Sequence, residues 1–227
     1  KIILQEKKET LKENFFVQLR VKAERLEEVL NAEEVGFRFA EMVISPFLII
    51  DYKDTELITS LRYKNESVLP KDIKKEFVNK EKSSVKDLET SLKESIIRTS
   101  KETYTADRFH MDPNCANSIA DNRIGLWVEK DLFQDNQNMC TTVEYKEKLV
   151  GYIIWKESRF IIGGLSNQFI GKGLGKSLYI QSILDVVDNG SKEVSANISV
   201  NNIPVLNLYS RLGFSFREPT YLFHYWG

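Results

Sequence analysis

The stretch best suited to chemistry runs from 169 to 178 and reads Phe-Ile-Gly-Lys-Gly-Leu-Gly-Lys-Ser-Leu. Its glycines, Gly171, Gly173 and Gly175, let the backbone approach a ligand closely and adopt positive φ. An apolar helical segment follows, so the amides of 171–176 point outward at a helix start. Residues Ile170, Gly171, Lys172, Gly173, Leu174, Gly175, Lys176 and Ser177 thus form an anion cradle suited to a pyrophosphate. A P-loop would use Gly175-Lys176-Ser177, but Ile170 stands where its first glycine belongs. A dinucleotide fingerprint would use Gly171 and Gly173, but Lys176 replaces its third glycine. A bland tight turn is the remaining reading at this level.

Composition narrows the classes. The chain has 227 residues, 42% hydrophobic and 29% charged, enough apolar material for a real core. Lys plus Arg is 32 against 33 Asp plus Glu, so no global field exists to hold nucleic acid, and none is expected as a partner. Two cysteines and two histidines make neither a disulfide framework nor a tetrahedral metal site, so no metal is expected. Neither cysteine is placed like a nucleophile beside a histidine, which disfavours a ping-pong acyl-enzyme. No apolar run approaches the roughly 18–20 residues of a membrane helix. The first residues lack the apolar core of a secretory signal, so cytoplasmic residence is the default expectation.

The elements that must position the cradle follow from pattern. Residues 15–21 read as a strand, 22–34 as a helix closed by Gly36, 37–51 as a long strand and 56–63 as another. Residues 64–82 are rich in Lys and Glu and read as a charged linker. Ser84 could cap a helix over 85–98 whose buried stripe is Val85, Leu88, Leu92 and Ile96, and a second helix fits 116–132. A hairpin joins 139–145 to 149–155, and a strand covers 160–165. After the glycine turn come a helix over 175–187 and a strand over 194–200. A short helix follows, capped by Asn202 with Pro204 in its first turn, and then two strands at 214–218 and 221–226. The division expected is a small α/β domain plus linker over 1–82, then a larger domain over 83–227.

A second motif decides between the readings of the glycine turn. About 30 residues beyond it lies Asn202-Ile-Pro-Val-Leu-Asn-Leu-Tyr209-Ser-Arg-Leu-Gly213-Phe214. It resembles the pattern N-x-x-A-x-x-L-Y-x-x-x-G-F of the GNAT acyltransferases, with Val205 in place of the usual Ala. The turn in turn resembles that superfamily's acyl-CoA cradle, Q/R-x-x-G-x-G/A. Aligned on the glycine run, Ile170 replaces the Gln/Arg; one frame earlier, Gln168 satisfies it literally. The resemblance implies an α/β GNAT acyl-CoA N-acyltransferase fold, a mixed, mostly antiparallel central sheet with flanking helices, preceded here by the small N-terminal domain. Residues 104–113, Tyr-Thr-Ala-Asp-Arg-Phe-His-Met-Asp-Pro, are similar to the F-x-x-S-R-F-x-x-D-P signature of the TDP-fucosamine acetyltransferase family, and residues 16–38 are similar to its extra domain.

These resemblances imply direct acetyl transfer from acetyl-CoA to a primary amine, with a TDP-linked amino-deoxysugar as the expected acceptor and a homodimer as an open option. Gly163, Gly164 and Leu165 would border a splayed strand end along which the pantetheine arm lies, and the Leu165 amide would polarise the thioester carbonyl. Tyr209 would protonate the departing thiolate; Asn202 and Tyr209 would also touch the cofactor. Arg108, Phe109 and His110 would meet the acceptor. For Arg108 the choice lies between a phosphate and a protein carboxylate, since a guanidinium fork suits both. The base is left open among Asp112, His110, Glu157 and a water chain. Alternatives of other classes are a non-catalytic acyl-CoA-binding sensor and an acyltransferase acting on a peptide or other small amine.

Overall fold

The computed structural model describes residues 15–50, 58–62, 78–105 and 107–227. Its centre is the expected hairpin, β4 (Met139–Tyr145) and β5 (Lys148–Lys156). Val143, Val150, Ile153 and Trp155 point to one side of it, while Cys140, Leu149, Tyr152 and Ile154 point to the other, and all are buried. Strands apolar on both faces must be covered on both. The helices α2 (Thr90–Thr103) and α3 (Asn117–Trp127, continued by a π turn over Val128–Leu132) cover the Tyr152 side. The helices α4 (Leu174–Asp188) and α5 (Ile203–Arg211) cover the Trp155 side. A buried polar chain pins α4 to β4: Trp155 Nε1 donates to Thr141 Oγ1 at 3.1 Å, and Thr141 Oγ1 donates to Asp185 at 2.6 Å.

Around the hairpin the sheet runs β1-β9-β2-β7-β6-β5-β4-β3, with the short β8 (Ile198–Ser199) paired to β2. Here β1 is Phe16–Lys22, β2 is Arg38–Ile49, β3 is Val78–Ser84, β6 is Arg159–Leu165, β7 is Glu193–Ala196 and β9 is Ser215–Trp226. Every described pairing is antiparallel except β6 with β7. Both β1 and β2 bond to β9, so residues from either side of position 82 build one sheet. Helix α1 (Leu26–Glu34) links β1 to β2, and the chain leaves it through Gly36 at φ +95°.

Several expectations are corrected. The strand expected at 56–63 is helical where described, at 58–62, with Leu61 buried against the Trp155 side; its remaining residues lie outside the described set. The end of the expected linker is β3, a polar edge strand on β4, and 64–77 lie outside the described residues. The helix expected at 85–98 begins at Thr90, because Val85 and Leu88 are buried from a turn before it. The strand expected at 194–200 is broken at Asn197 between β7 and β8. The two final strands are one, bulged where Glu218 sits at φ +54°, so Pro219 interrupts the ladder without ending the strand.

Candidate active site

The decisive geometry is where β6 and β7 part. They pair at Arg159–Ser195 and Phe160–Ala196, and the described pairing stops there while β6 continues to Leu165. Ser166 N–H donates to Val150 O on β5 at 2.9 Å. Strand alternation therefore turns the amides of Gly163 and Leu165 the other way, into the opening. Gly163 N–H does point there: it lies 3.3 Å from Tyr104 Oη, which also donates to Gly163 O at 3.1 Å. The sequence placed donors on this strand end, and the structure turns them into a gap.

Three phenols meet at the opening. Tyr104 follows α2, Tyr179 is on α4 and Tyr209 is on α5. The Tyr179 and Tyr209 rings stand edge to face at 5.3 Å. Burial pushes the Tyr104 phenol up to about 12, and it pushes Tyr209 well above the usual phenol range, with Tyr179 and Tyr104 adding to the effect. All three are thus protonated donors at neutral pH. The sequence singled out Tyr209. It gave Tyr104 only as a departure from Phe in a signature, and the added hydroxyl is the atom that reaches Gly163. Gly164 has a packing reason of its own: a Cβ there would lie 3.2 Å from Thr103 Oγ1 on α2.

The glycine turn leads from β6 into α4 as expected. Gly171 (φ +78°) and Gly173 (φ +74°) are left-handed, and Gly173 is the N-cap of α4. A Cβ on Gly171 would meet nothing within 4 Å, so this side of the turn is open. A Cβ on Gly175 would come within 3.0 Å of Leu165 Cδ1, so that glycine seats the helix against β6. The first amides of α4 have no carbonyl partner within the helix, and its first turn carries no acid to occupy them. Lys172 and Lys176 flank them. Leu174 and Ser177 are fully buried, so neither offers a side chain to a ligand on the open side of the turn. Ile170 exposes an apolar side chain. Asn202 Oδ1 accepts from Val205 N–H at 3.4 Å, which makes it the cap of α5.

Tyr104 packs on β6, and residues 107–112 lie at the β9 end of the sheet. Arg108 Nε donates to Gln18 Oε1 at 2.7 Å, and its NH1 lies 3.6 Å from Glu41 Oε2. Of the two partners offered for Arg108, the structure supplies the carboxylate. Glu41 is buried on β2, and burial holds its carboxyl above the ordinary range despite Ser199 and Arg108. Phe109 is buried between Phe16 and His224, with the Arg123 guanidinium 3.9 Å over its ring. Both nitrogens of His110 are engaged, with Asp107 at 3.1 Å and Asp121 at 2.9 Å, so no ring nitrogen is left to act as a base. Glu157 sits at φ +53° in the turn before β6, beyond the paired end of the opening. Both cysteines are buried thiols, and burial raises each above the ordinary thiol value.

Asp112 ties this segment to β9. It accepts from His224 Nδ1 at 2.6 Å and from Trp226 Nε1 at 2.8 Å. Burial pushes its carboxyl up, but these bonds and the Asn114 amide outweigh burial and hold it below the usual range. His224 is lowered, first by burial; among the described residues its Nε2 is enclosed without a hydrogen-bond partner, and Arg108 and Arg123 oppose a further positive charge. Both shifts have one sign. Unfolding releases a histidine that takes up a proton near pH 6.5, so stability falls as pH drops below that value. The Asp112 contribution is lost later, as pH falls through its depressed folded value. We expect melting temperature to decline from pH 7 to pH 5, and His224→Gln to flatten that part of the profile. An equal slope in the variant would remove His224 from the account.

Residues 106–214 match the Acetyltransferase (GNAT) family, and the mixed α/β sheet described above matches the fold of solved GNAT structures. A GCN5-related N-acetyltransferase from Sphaerobacter thermophilus has a TM-score of 0.61 at 13% identity, covering 98% of this chain and 64% of that one. A functionally unknown conserved protein from Staphylococcus epidermidis ATCC 12228 has a TM-score of 0.63 at 12% identity, covering 98% of this chain and 77% of that one. The spore coat polysaccharide biosynthesis protein SpsD of Bacillus subtilis (strain 168) is 20% identical over 137 residues, 59% of this chain and 47% of that protein. The match thus spans about half the length of that relative. Among the described residues no helix is long and apolar enough to cross a membrane.

Proposed function

We propose that the chain moves an acetyl group from acetyl-CoA to the primary amine of a small acceptor by direct attack in a ternary complex. The observation that carries the reading is the opening between β6 and β7, with the Gly163 and Leu165 amides turned into it. Its ends suit the two halves of the donor. The amides of 171–176 and the two lysines suit a pyrophosphate, and the bare strand edge suits the pantetheine arm. The Leu165 amide is our candidate for the developing oxyanion. The Tyr104 hydroxyl holds the Gly163 position until the donor displaces it. Tyr209 is the candidate acid for the departing thiolate.

The acceptor we favour is a nucleotide-linked amino-deoxysugar. The 104–113 signature supports it, and so does a relative whose name places that protein in polysaccharide biosynthesis. Phe109 and His110 lie inside the segment rather than at its surface, so their contribution is to shape the acceptor side of the opening. Titration calorimetry tests the donor half: acetyl-CoA should bind with a Kd in the micromolar range, and folded protein that takes up none would end this reading.

A further inference from the structure

A pocket of about 180 Å³ lies on the sheet face against which Arg108 and Asp112 pack. Strand register explains why five strands converge on it. Arg20 of β1 is paired to Leu222 of β9, Thr220 of β9 to Val43 of β2, and Ser195 of β7 to Arg159 of β6. Paired residues project to the same face, so Arg20, Arg159, Ser195 and Thr220 border one concavity, which Ser45 and Arg217 complete. It is contiguous with the Arg108–Glu41 pair, which sits one step further along β2 on the same face.

The pocket's charges are unevenly committed. Arg217 holds Glu193 through two hydrogen bonds, 2.6 and 3.4 Å, and lies 4.4 Å over the Phe47 ring. Arg20 and Arg159 have no carboxylate partner among the described residues, and the Arg20 charge is strong enough at Arg108 to help lower that group. The acid in the lining is Glu218, held at φ +54° by the β9 bulge. Ser45, Ser195 and Thr220 add hydroxyls, with Ser45 donating to Asn197 Oδ1 and Thr220 to Glu218 O, and Val43, Ala196 and Asn197 line the remainder. Two uncommitted guanidinium groups with hydroxyls between them are the recognition chemistry of a phosphate ester. Position matters as much as charge. Arg159 opens the strand that carries Gly163, about 13 Å further along at the ordinary strand rise. A phosphate in the pocket and an amine in the opening can therefore belong to one molecule.

We infer that this pocket holds the phosphate of the acceptor, with Arg20 and Arg159 as its charge partners, so that the acceptor is an amine bearing a phosphate ester. The inference rests on the acetyl-transfer reading for the amine, but its test does not. Calorimetry without acetyl-CoA compares glucosamine 6-phosphate, glucosamine 1-phosphate and glucosamine as probes on the full chain. The two phosphorylated probes should bind at least about tenfold more tightly than glucosamine, and Arg20→Gln and Arg159→Gln should each weaken them about tenfold. Both side chains are exposed, so the variants should melt like the wild type and bind acetyl-CoA unchanged. Equal affinity for phosphorylated and free sugar, no binding of either phosphorylated probe, or indifference to both substitutions would overturn the assignment. Absence of acetyl transfer with these phosphate preferences intact would instead count against the transfer reading alone.

Discussion

Gly173→Glu should abolish the stabilisation that acetyl-CoA gives the protein. Gly173 is the N-cap of α4 at φ +74°, where the first amides of the helix face the open side of the turn. A glutamate there sets a carboxylate beside the position proposed for a pyrophosphate and supplies a competing anion to the same amides. At a ligand concentration about 100 times Kd, wild type gains about 2.7 kcal/mol. For a domain of this size that raises the melting temperature by roughly 5–10 °C. The variant should show none of this shift. Left-handed backbone also penalises any side chain, so Gly173→Ala is the control. It should share the lower starting melting temperature and keep most of the acetyl-CoA shift. If alanine loses the shift as completely as glutamate, the effect is strain and the cradle assignment fails. If glutamate keeps it, the donor binds elsewhere.

Tyr209→Phe should lower kcat by about 10²–10³-fold with little change in the KM for acetyl-CoA. The ring would stay packed against Tyr179 at 5.3 Å and Phe214 at 4.8 Å, so the substitution removes the hydroxyl and keeps the fold. Burial and its phenol neighbours hold Tyr209 well above the usual value of about 10, so it remains protonated throughout the working range. Proton donation to a thiolate of pKa about 8.5 is then uphill from the ground state, and it becomes useful as the C–S bond breaks. That gives a signature a packing residue would lack. An acyl donor with a more acidic leaving thiol needs the proton less, so the deficit of the variant should shrink with such a donor. A deficit of constant size across leaving groups would make Tyr209 a packing residue.

What the sequence disclosed depended on whether the signal was local. Helix α4 and its glycine turn, the β4–β5 hairpin and the Asn202 cap were legible because each is defined by neighbours in the chain. The edge strand β3 was not, because Val-Asn-Lys-Glu-Lys-Ser-Ser has no apolar alternation; pairing to β4 alone makes it a strand. Reading 214–218 and 221–226 as two strands placed a break in β9 that the left-handed Glu218 absorbs as a bulge. The acceptor side was the least legible. Glu41, Arg20 and Arg159 lie far from one another in the chain and are assembled by register. Arg108 drew attention through its motif, yet its guanidinium is directed at Gln18 and Glu41. No local pattern could have shown that His110 is held by two aspartates or that Tyr104 reaches the Gly163 amide.

The most direct measurement is the mass of an amine acceptor after incubation with acetyl-CoA and the full chain. Glucosamine 1-phosphate serves as first acceptor, and a panel of nucleotide-linked amino sugars, polyamines and peptides follows. The account predicts an N-acetylated acceptor, stoichiometric free CoA released when amine is present, and no acetyl left on the protein when amine is absent. Acetyl-CoA binding with no transfer to any amine would contradict it and leave a protein that senses acyl-CoA without turning it over.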